Sequence, residues 1–277
     1  MRPFTLNIRQ SIERFDAPLV MAILNVTPDS FYNKSRFISL DQAEQRIERI
    51  VSEGADIIDV GGCSTRPGFE FISPEEEIDR ICPVLEMIKK IAPEVMISVD
   101  TFYSKTARYA VSEMGCDIIN DISSGLYDPA MFDTVADLNV PYILTHNRLS
   151  KDNTKYKNVT SDVLYELSIK TKELTLKGVK DIIIDPGFGF SKTTDQNFSL
   201  MSDLSAFETL NRPILVGISR KSMITKTLKI STEDSLNATT ALNLYSLIRG
   251  ASILRVHDVE ATSQIIKLYR NLNVTQS

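Results

Sequence analysis

Polar side chains of a particular kind stand just past short apolar runs along this chain, and they suit binding and positioning better than nucleophilic attack. Asp185 follows Ile182–Ile184 and opens a Pro-Gly-x-Gly turn, Pro186–Gly189, with Phe190 and Lys192 after it. Desolvating a carboxylate at the end of a buried strand is costly unless something pairs with it. The position is poor for stability and well placed to receive N–H donors from a ligand. Comparable positions hold Asn25, the GGCSTR turn, Asp100, Asn120, His146, Lys221, and Arg255 with His257. Two carboxylates (Asp100, Asp185), an amide (Asn120) and a lysine (Lys221) could read the edge of a flat heterocycle rich in donors and acceptors. Arg66, Arg255 and His257 have no obligate partner adjacent in sequence and could hold a phosphate or diphosphate; Arg255 could instead stack on a ring. Ser222 stands at an expected helix start, where backbone N–H groups suit a carboxylate ligand.

Each residue alone has an ordinary reading. Asn25 and Asn120 could be turn or cap residues, Asp100 and His257-Asp258 could start helices, and Arg255 could pair with a surface acid. Their recurrence at one end of successive strands is what points to a site. The glycines near Asp185 fit neither phosphate-binding spacing, because Ser191 replaces the second glycine of G-x-x-x-x-G-K-[ST] and Lys192 the last of G-x-G-x-x-G. With no Ser/His/Asp nucleophile set and no metal cluster, the chemistry indicated is positioning and charge stabilisation.

The elements that must carry these residues follow a regular pattern. Apolar runs at Leu19–Leu24, Ile57–Val60, Val95–Val99, Ile118–Ile119, Tyr142–Leu144, Ile182–Ile184, Ile214–Val216 and Ser252–Leu254 read as buried strands. Amphipathic stretches alternate with them, bounded by Ser39-x-x-Gln42, Ser73-Pro74, Asp128-Pro129 and Asp258 at their starts, and by Gly54, Gly115 and Gly178 at their ends. Strict alternation predicts a parallel sheet, and eight units predict a closed (β/α)8 TIM barrel over residues 19–277, one domain after a short irregular lead-in at 1–18 with a small strand at Phe4–Ile8. The runner-up, an open doubly wound sheet, requires a glycine-rich first turn that LNVTPDS does not provide.

Composition narrows the function classes. The chain has 277 residues, is 43% hydrophobic and carries a net charge of −5 without a basic block, which argues against nucleic acid. No apolar run approaches a membrane span, and the N-terminal residues lack a signal-peptide core. Cys63, Cys82 and Cys116 form no CxxC pair. The expectation is a cytoplasmic protein with no membrane partner.

The segments MAILNVTPDSF, GADIIDVGGCSTRPG, DPGFGFSKT, VGISRKSMI and ILRVHDV resemble, in order and over nearly the whole chain, the signatures of the dihydropteroate synthase family. That resemblance implies a (β/α)8 barrel, usually homodimeric and a sulfonamide target. Its reaction, in folate biosynthesis, condenses 6-hydroxymethyl-7,8-dihydropterin diphosphate with 4-aminobenzoate and uses Mg²⁺. It implies Asn25 for the metal-bound diphosphate, and Asp100, Asn120, Asp185 and Lys221 for the pterin edge. Arg66, Arg255 and His257 would take the diphosphate, Arg255 also covering the pterin face. Phe31, Thr65, Pro67, Phe190 and Ser222 would line the aminobenzoate pocket. Three departures stand out: Cys63 where the family commonly has an acid, Thr145-His146-Asn147-Arg148 in place of Met-His-Met-x-Gly, and FYNKSRF without Asp-Gly-Gly. The alternatives are a methyltetrahydrofolate–corrinoid methyltransferase, which has no use for a diphosphate site, and a non-catalytic pterin-binding family member.

Overall fold

The structure, a computed structural model, describes residues 2–26, 36–63, 71–149 and 155–274. Strands β1 (Phe4–Ile8) and β2 (Ser11–Phe15) form an antiparallel hairpin. Then follow β3 (Leu19–Asn25), α1 (Arg36–Ser52), β4 (Ile57–Gly61), α2 (Pro74–Ile91), β5 (Met96–Asp100), α3 (Ser104–Ser112), β6 (Ile118–Asp121), α4 (Met131–Leu138), β7 (Tyr142–Thr145), α5 (Val159–Leu176), β8 (Ile182–Asp185), α6 (Thr194–Ser202), β9 (Leu215–Val216), α7 (Ser222–Leu228), α8 (Leu236–Ile248), β10 (Ile253–Val256) and α9 (Val259–Val274). Strands β3 to β10 form one parallel eight-stranded sheet, with β10 between β3 and β9. A parallel bridge from Ile184 to Ile214 joins β8 to the start of β9 and closes the barrel.

Two layers of apolar side chains follow from the period-two alternation of the strands. Val20, Ala22, Ile58, Val60, Ile97, Val99, Ile119, Leu144, Ile184 and Leu254 point outward and pack with the helices. Met21, Ile57, Met96, Ile118, Ile143, Ile183, Leu215 and Ile253 point inward and fill the amino-terminal end of the barrel. Going two residues further leaves Ile23 on β3 but changes the inward series from β4 to β10 to Asp59, Ser98, Asn120, Thr145, Asp185, Gly217 and Arg255. One repeat thus builds the core at one end and a polar mouth at the other.

The first 18 residues are more ordered than expected. Leu6 and Ile8 of the hairpin join the inward apolar layer and cap its open end. The turn Arg9–Gln10 has both φ values positive, 52° and 66°. A two-residue hairpin favours that twist, but usually with Asn or Gly, so these residue types carry no turn signal and β2 is an element beyond those expected. Arg9 compensates: its guanidinium donates to Asp117 Oδ1 at 3.1 Å, Pro93 O at 2.8 Å and Val95 O at 3.1 Å. Another difference is at α1, which begins at Arg36, so Ser39 lies inside the helix and is not its cap. Asp258 directly precedes α9 as expected, its carbonyl accepting from Thr262 N at 3.3 Å, while its carboxylate pairs with Arg220.

Candidate active site at the barrel mouth

The polar inward residues form two linked charge clusters. In the first, Asp59 of β4 is fully buried and accepts three hydrogen bonds: from Ser98 Oγ at 2.7 Å, Asn120 Nδ2 at 3.0 Å and Arg255 Nε at 2.6 Å. Arg255 Nη2 also donates to Asp100 Oδ2 at 2.6 Å. The guanidinium thus lies across the barrel between two carboxylates. Burial acts against its charge, but Asp59 and Asp100 outweigh burial and hold its pKa above the ordinary arginine value. Burial pushes Asp100 up to about 7, against the pull of Arg255.

The second cluster is built on β8 and the turns after β8 and β9. Asp185 Oδ1 accepts from Gly187 N at 2.8 Å, which folds the Pro-Gly turn back on its own strand. Gly187 has φ +72°, and a Cβ there would stand 1.9 Å from His146 O, so only glycine fits. Lys221 donates to Phe188 O, and its ammonium lies 4.6 Å from the Phe190 ring centroid. Burial lowers Lys221 to about 8, Asp185 resisting, and burial raises Asp185, Lys221 resisting. Each charge keeps the other tolerable in a site that is short of water.

The remaining expected residues fall around this mouth or outside the described chain. Asn25 is exposed at the end of β3, its Oδ1 beside Gly61. His257 lies past β10, its Nδ1 3.0 Å from Ser219 Oγ, and burial followed by the Arg255 charge lowers it to about 4. Ser222 is exposed at the first residue of α7. Phe31, Thr65, Arg66 and Pro67 lie outside the described residues. Cys63 is half-buried, and burial raises its thiol pKa, so it is not poised as a thiolate. Among the described residues no group of three His, Cys, Asp or Glu could hold a metal ion, and no helix is long and apolar enough to cross a membrane.

Sequence reasoning missed Asp59 and Ser98. Both stand two residues below the rim positions Gly61 and Asp100, and the period-two step could have shown that they share the inward face. Arg255 has no obligate partner adjacent in sequence, as expected; its partners are buried acids 196 and 155 residues away. Lys192 was noted without a role, and it proves to be buried. At the Thr145–Arg148 departure, Thr145 is fully buried opposite Asp185, while Asn147 donates to Ile122 O at 3.1 Å and is turned to the neighbouring loop.

A barrel mouth that sets acids, an amide, a lysine and an arginine around one opening can hold a polar flat ring and an adjoining anion. Residues 21–257 match the pterin-binding enzyme family. The dihydropteroate synthase of Streptococcus pyogenes serotype M6 is 42% identical over 91% of this chain and 95% of its own length. The structure of Xanthomonas albilineans dihydropteroate synthase with 4-aminobenzoic acid superposes with a TM-score of 0.90 at 36% identity, covering 97% of this chain and 98% of that one. The same enzyme in complex with 7,8-dihydropteroate gives 0.87 at 34% identity, with the same coverage. The chain belongs to the pterin-binding enzymes and, among them, to the dihydropteroate synthases.

Proposed function

We propose that this chain condenses 6-hydroxymethyl-7,8-dihydropterin diphosphate with 4-aminobenzoate, giving 7,8-dihydropteroate and diphosphate. The observation that carries the reading is the convergence of Asp100, Asn120, Asp185 and Lys221 on one mouth with Arg255 between them. Asp185 and Asp100 accept N–H bonds from the pterin edge, Asn120 both gives and takes, and Lys221 donates to a ring nitrogen or carbonyl. The arylamine nitrogen forms the new C–N bond at the exocyclic methylene carbon. The C–O electron pair leaves with diphosphate, and the amine gives up one proton. Arg255 and His257 face the charge that develops on the leaving group, and Arg255 also covers the ring, which stabilises a cationic pterin methylene only if the guanidinium stays paired with Asp59 and Asp100. Phe31, Thr65, Arg66, Pro67, Phe190 and Ser222 complete the diphosphate and aminobenzoate positions.

Magnesium suits this donor set as an ion that arrives on the diphosphate. A neutral amide oxygen at Asn25 is too little to hold it alone, but Mg²⁺ keeps several waters and uses phosphate oxygens as ligands. When bound, it would neutralise part of the leaving group's charge. A homodimer is consistent with the exposed apolar side chains Leu236, Ile248 and Leu268 on α8 and α9, and a cytoplasmic location with the reduced cysteines expected there.

The test is direct. The purified chain, given pterin diphosphate, 4-aminobenzoate and Mg²⁺, should release diphosphate and form dihydropteroate, and Asp185→Asn should weaken pterin binding by about one to two orders of magnitude. A folded chain that releases no diphosphate would sink the proposal and leave a pterin binder or a methyl-transferring enzyme.

A further inference from the structure

Behind the β8 turn lies a buried network that the reaction as described does not use. Lys192 is 9% exposed, and its ammonium has three acceptors, matching its three N–H bonds: Gly187 O at 2.8 Å, Phe190 O at 3.1 Å and His146 Nδ1 at 3.0 Å. With Nδ1 accepting, the His146 proton is on Nε2, which donates to Glu166 Oε2 at 3.0 Å. Glu166 also pairs with Arg148. The Arg148 guanidinium lies 3.8 Å from the centroid of the Tyr156 ring, and the Tyr156 hydroxyl donates to Ser191 O at 3.1 Å. Ser191 precedes Lys192, so the chain of contacts closes on itself and ties the loop after β7, helix α5 and the turn after β8 together.

The front of the same turn belongs to the pterin positions. Gly187 N holds Asp185, Phe188 O holds Lys221, and the Phe190 ring lies under the Lys221 ammonium. Lys192 grips the turn from behind at Gly187 and Phe190, the residues that set where Asp185 and the aromatic wall point. We propose that Lys192 is a positioning residue for pterin binding: its ammonium, held by His146 and Glu166, fixes the turn that aims Asp185 and Phe190 into the site.

The charges around Lys192 fit that role. Asp185 and Glu166 favour its charge, Lys221 and Arg148 oppose it, and burial is the largest influence, lowering it to about 7. All three partners are acceptors, so the geometry is built for the ammonium. His146 is lowered to about 4, chiefly by burial, and stays neutral, while the His146 bond is the main cause that holds Glu166 down at about 2 as a carboxylate. With Lys192 carrying its proton, as its three acceptors require, the relay reads Lys⁺, neutral His, Glu⁻ and Arg⁺, with no like charges hydrogen-bonded to each other.

This inference rests on Asp185 binding the pterin, and the test keeps the two apart. Lys192→Met keeps most of the side-chain volume and removes the charge. It should raise KM for the pterin diphosphate about tenfold, as expected when a charged hydrogen bond behind a binding turn is lost. Glu166→Ala changes a side chain that is one-third exposed and outside the site; it should raise the same KM by about threefold. Arg9→Ala, at the opposite end of the barrel, should lower the melting temperature and leave KM unchanged. A role in folding alone would lower active protein in all three and move KM in none. Unchanged pterin KM in Lys192→Met, with Asp185→Asn impaired, overturns the positioning role only; if both are unchanged, the site reading fails as well. Should Lys192→Met not fold, unchanged KM in Glu166→Ala overturns the proposal by itself.

Discussion

Asp59 offers the sharpest test of how this mouth is held, because sequence gave it no role and the structure gives it three. Its carboxylate takes Ser98 Oγ on one oxygen and Asn120 Nδ2 and Arg255 Nε on the other. In Asp59→Asn, the amide oxygen can take the place of Oδ2 and keep Asn120 and Arg255. The new NH₂ then faces Ser98 Oγ, a hydroxyl that can rotate to accept. The bonding pattern survives, and what is lost is the negative charge opposite Arg255. A hydrogen bond to a charged group contributes about 1.5–3 kcal/mol, so the cost should be about 2–3 kcal/mol. For a chain of this size that is a fall in melting temperature of roughly 4–12 °C. Asp59→Ala differs in kind, since it leaves Ser98, Asn120 and a buried guanidinium without their acceptor; breaking a buried pair in this way costs about 3–5 kcal/mol.

Calorimetric melting of both variants, with pterin binding by titration, tests the reasoning. The expected order is Asp59→Ala clearly below Asp59→Asn, both below wild type, with pterin affinity reduced most in Asp59→Ala, where Asn120 and Arg255 lose their acceptor, and less in Asp59→Asn, where those bonds stay and only the charge opposite Arg255 is gone. Equal melting temperatures for wild type and Asp59→Asn would refute the charge argument, and equal values for the two variants would refute the hydrogen-bond argument.

Other expectations follow from the same geometry. In the proposed site, pterin binding uses Asp100 ionised and Lys221 protonated. With Asp100 raised to about 7 and Lys221 lowered to about 8, kcat/KM for the pterin should rise with pH through the first value and fall through the second. Lys221→Arg, which stays charged, should leave only the fall set by Lys192, itself lowered to about 7, and the double variant Lys221→Arg, Lys192→Met should show no alkaline fall; a fall that persists there would assign it to another group. Gly187→Ala places a methyl 1.9 Å from His146 O and should lower pterin affinity by at least about tenfold by displacing the turn; binding at wild-type strength in a folded variant would show that the turn yields. Leu6→Ala should cost about 2–5 kcal/mol in stability, as a fully buried leucine of the hairpin plug, with KM for both substrates unchanged; a changed KM would mean the two barrel ends are coupled.

The sequence showed the barrel clearly because strands β3 to β10 are buried at almost every position on both faces and helices such as α2 and α3 bury one apolar face. Eight strand–helix units and the polar residues at the strand ends could be read from local pattern alone. What could not be read depends on distance along the chain. Arg255 meets Asp59 and Asp100 across the barrel, and no window of sequence contains such a pair. The second hairpin strand was missed for a different reason: Arg9 and Gln10 adopt left-handed conformations without the residue types that usually mark them, held there by Asp117 and two carbonyls from distant strand ends. Lys192 shows a third case. Its position in DPGFGFSKT was plain, but whether a lysine after a turn reaches outward to a ligand or inward to its own backbone depends on His146 and Glu166.

The two carboxylates proposed to read the pterin share one design. Asp185 gives Oδ1 to Gly187 N, and Asp100 gives Oδ2 to Arg255 Nη2. Each is fixed through one oxygen by the protein, so its rotation is set before a ligand arrives and its second oxygen keeps a defined direction. A carboxylate fixed in this way loses little rotamer freedom on binding, a cost otherwise borne by each immobilised side chain. It also stays selective, because donors on the ligand must match an orientation they cannot change. The cations follow the same rule, Lys221 on Phe188 O and Arg255 on Asp59. Arg255 therefore cannot swing freely to a diphosphate: Asp59 anchors its Nε and Asp100 its Nη2, and only the remaining N–H donors of the guanidinium can reach a ligand. That places its donor fork over the ring plane more readily than out at the rim, where His257, with Nδ1 against Ser219, remains for the anion.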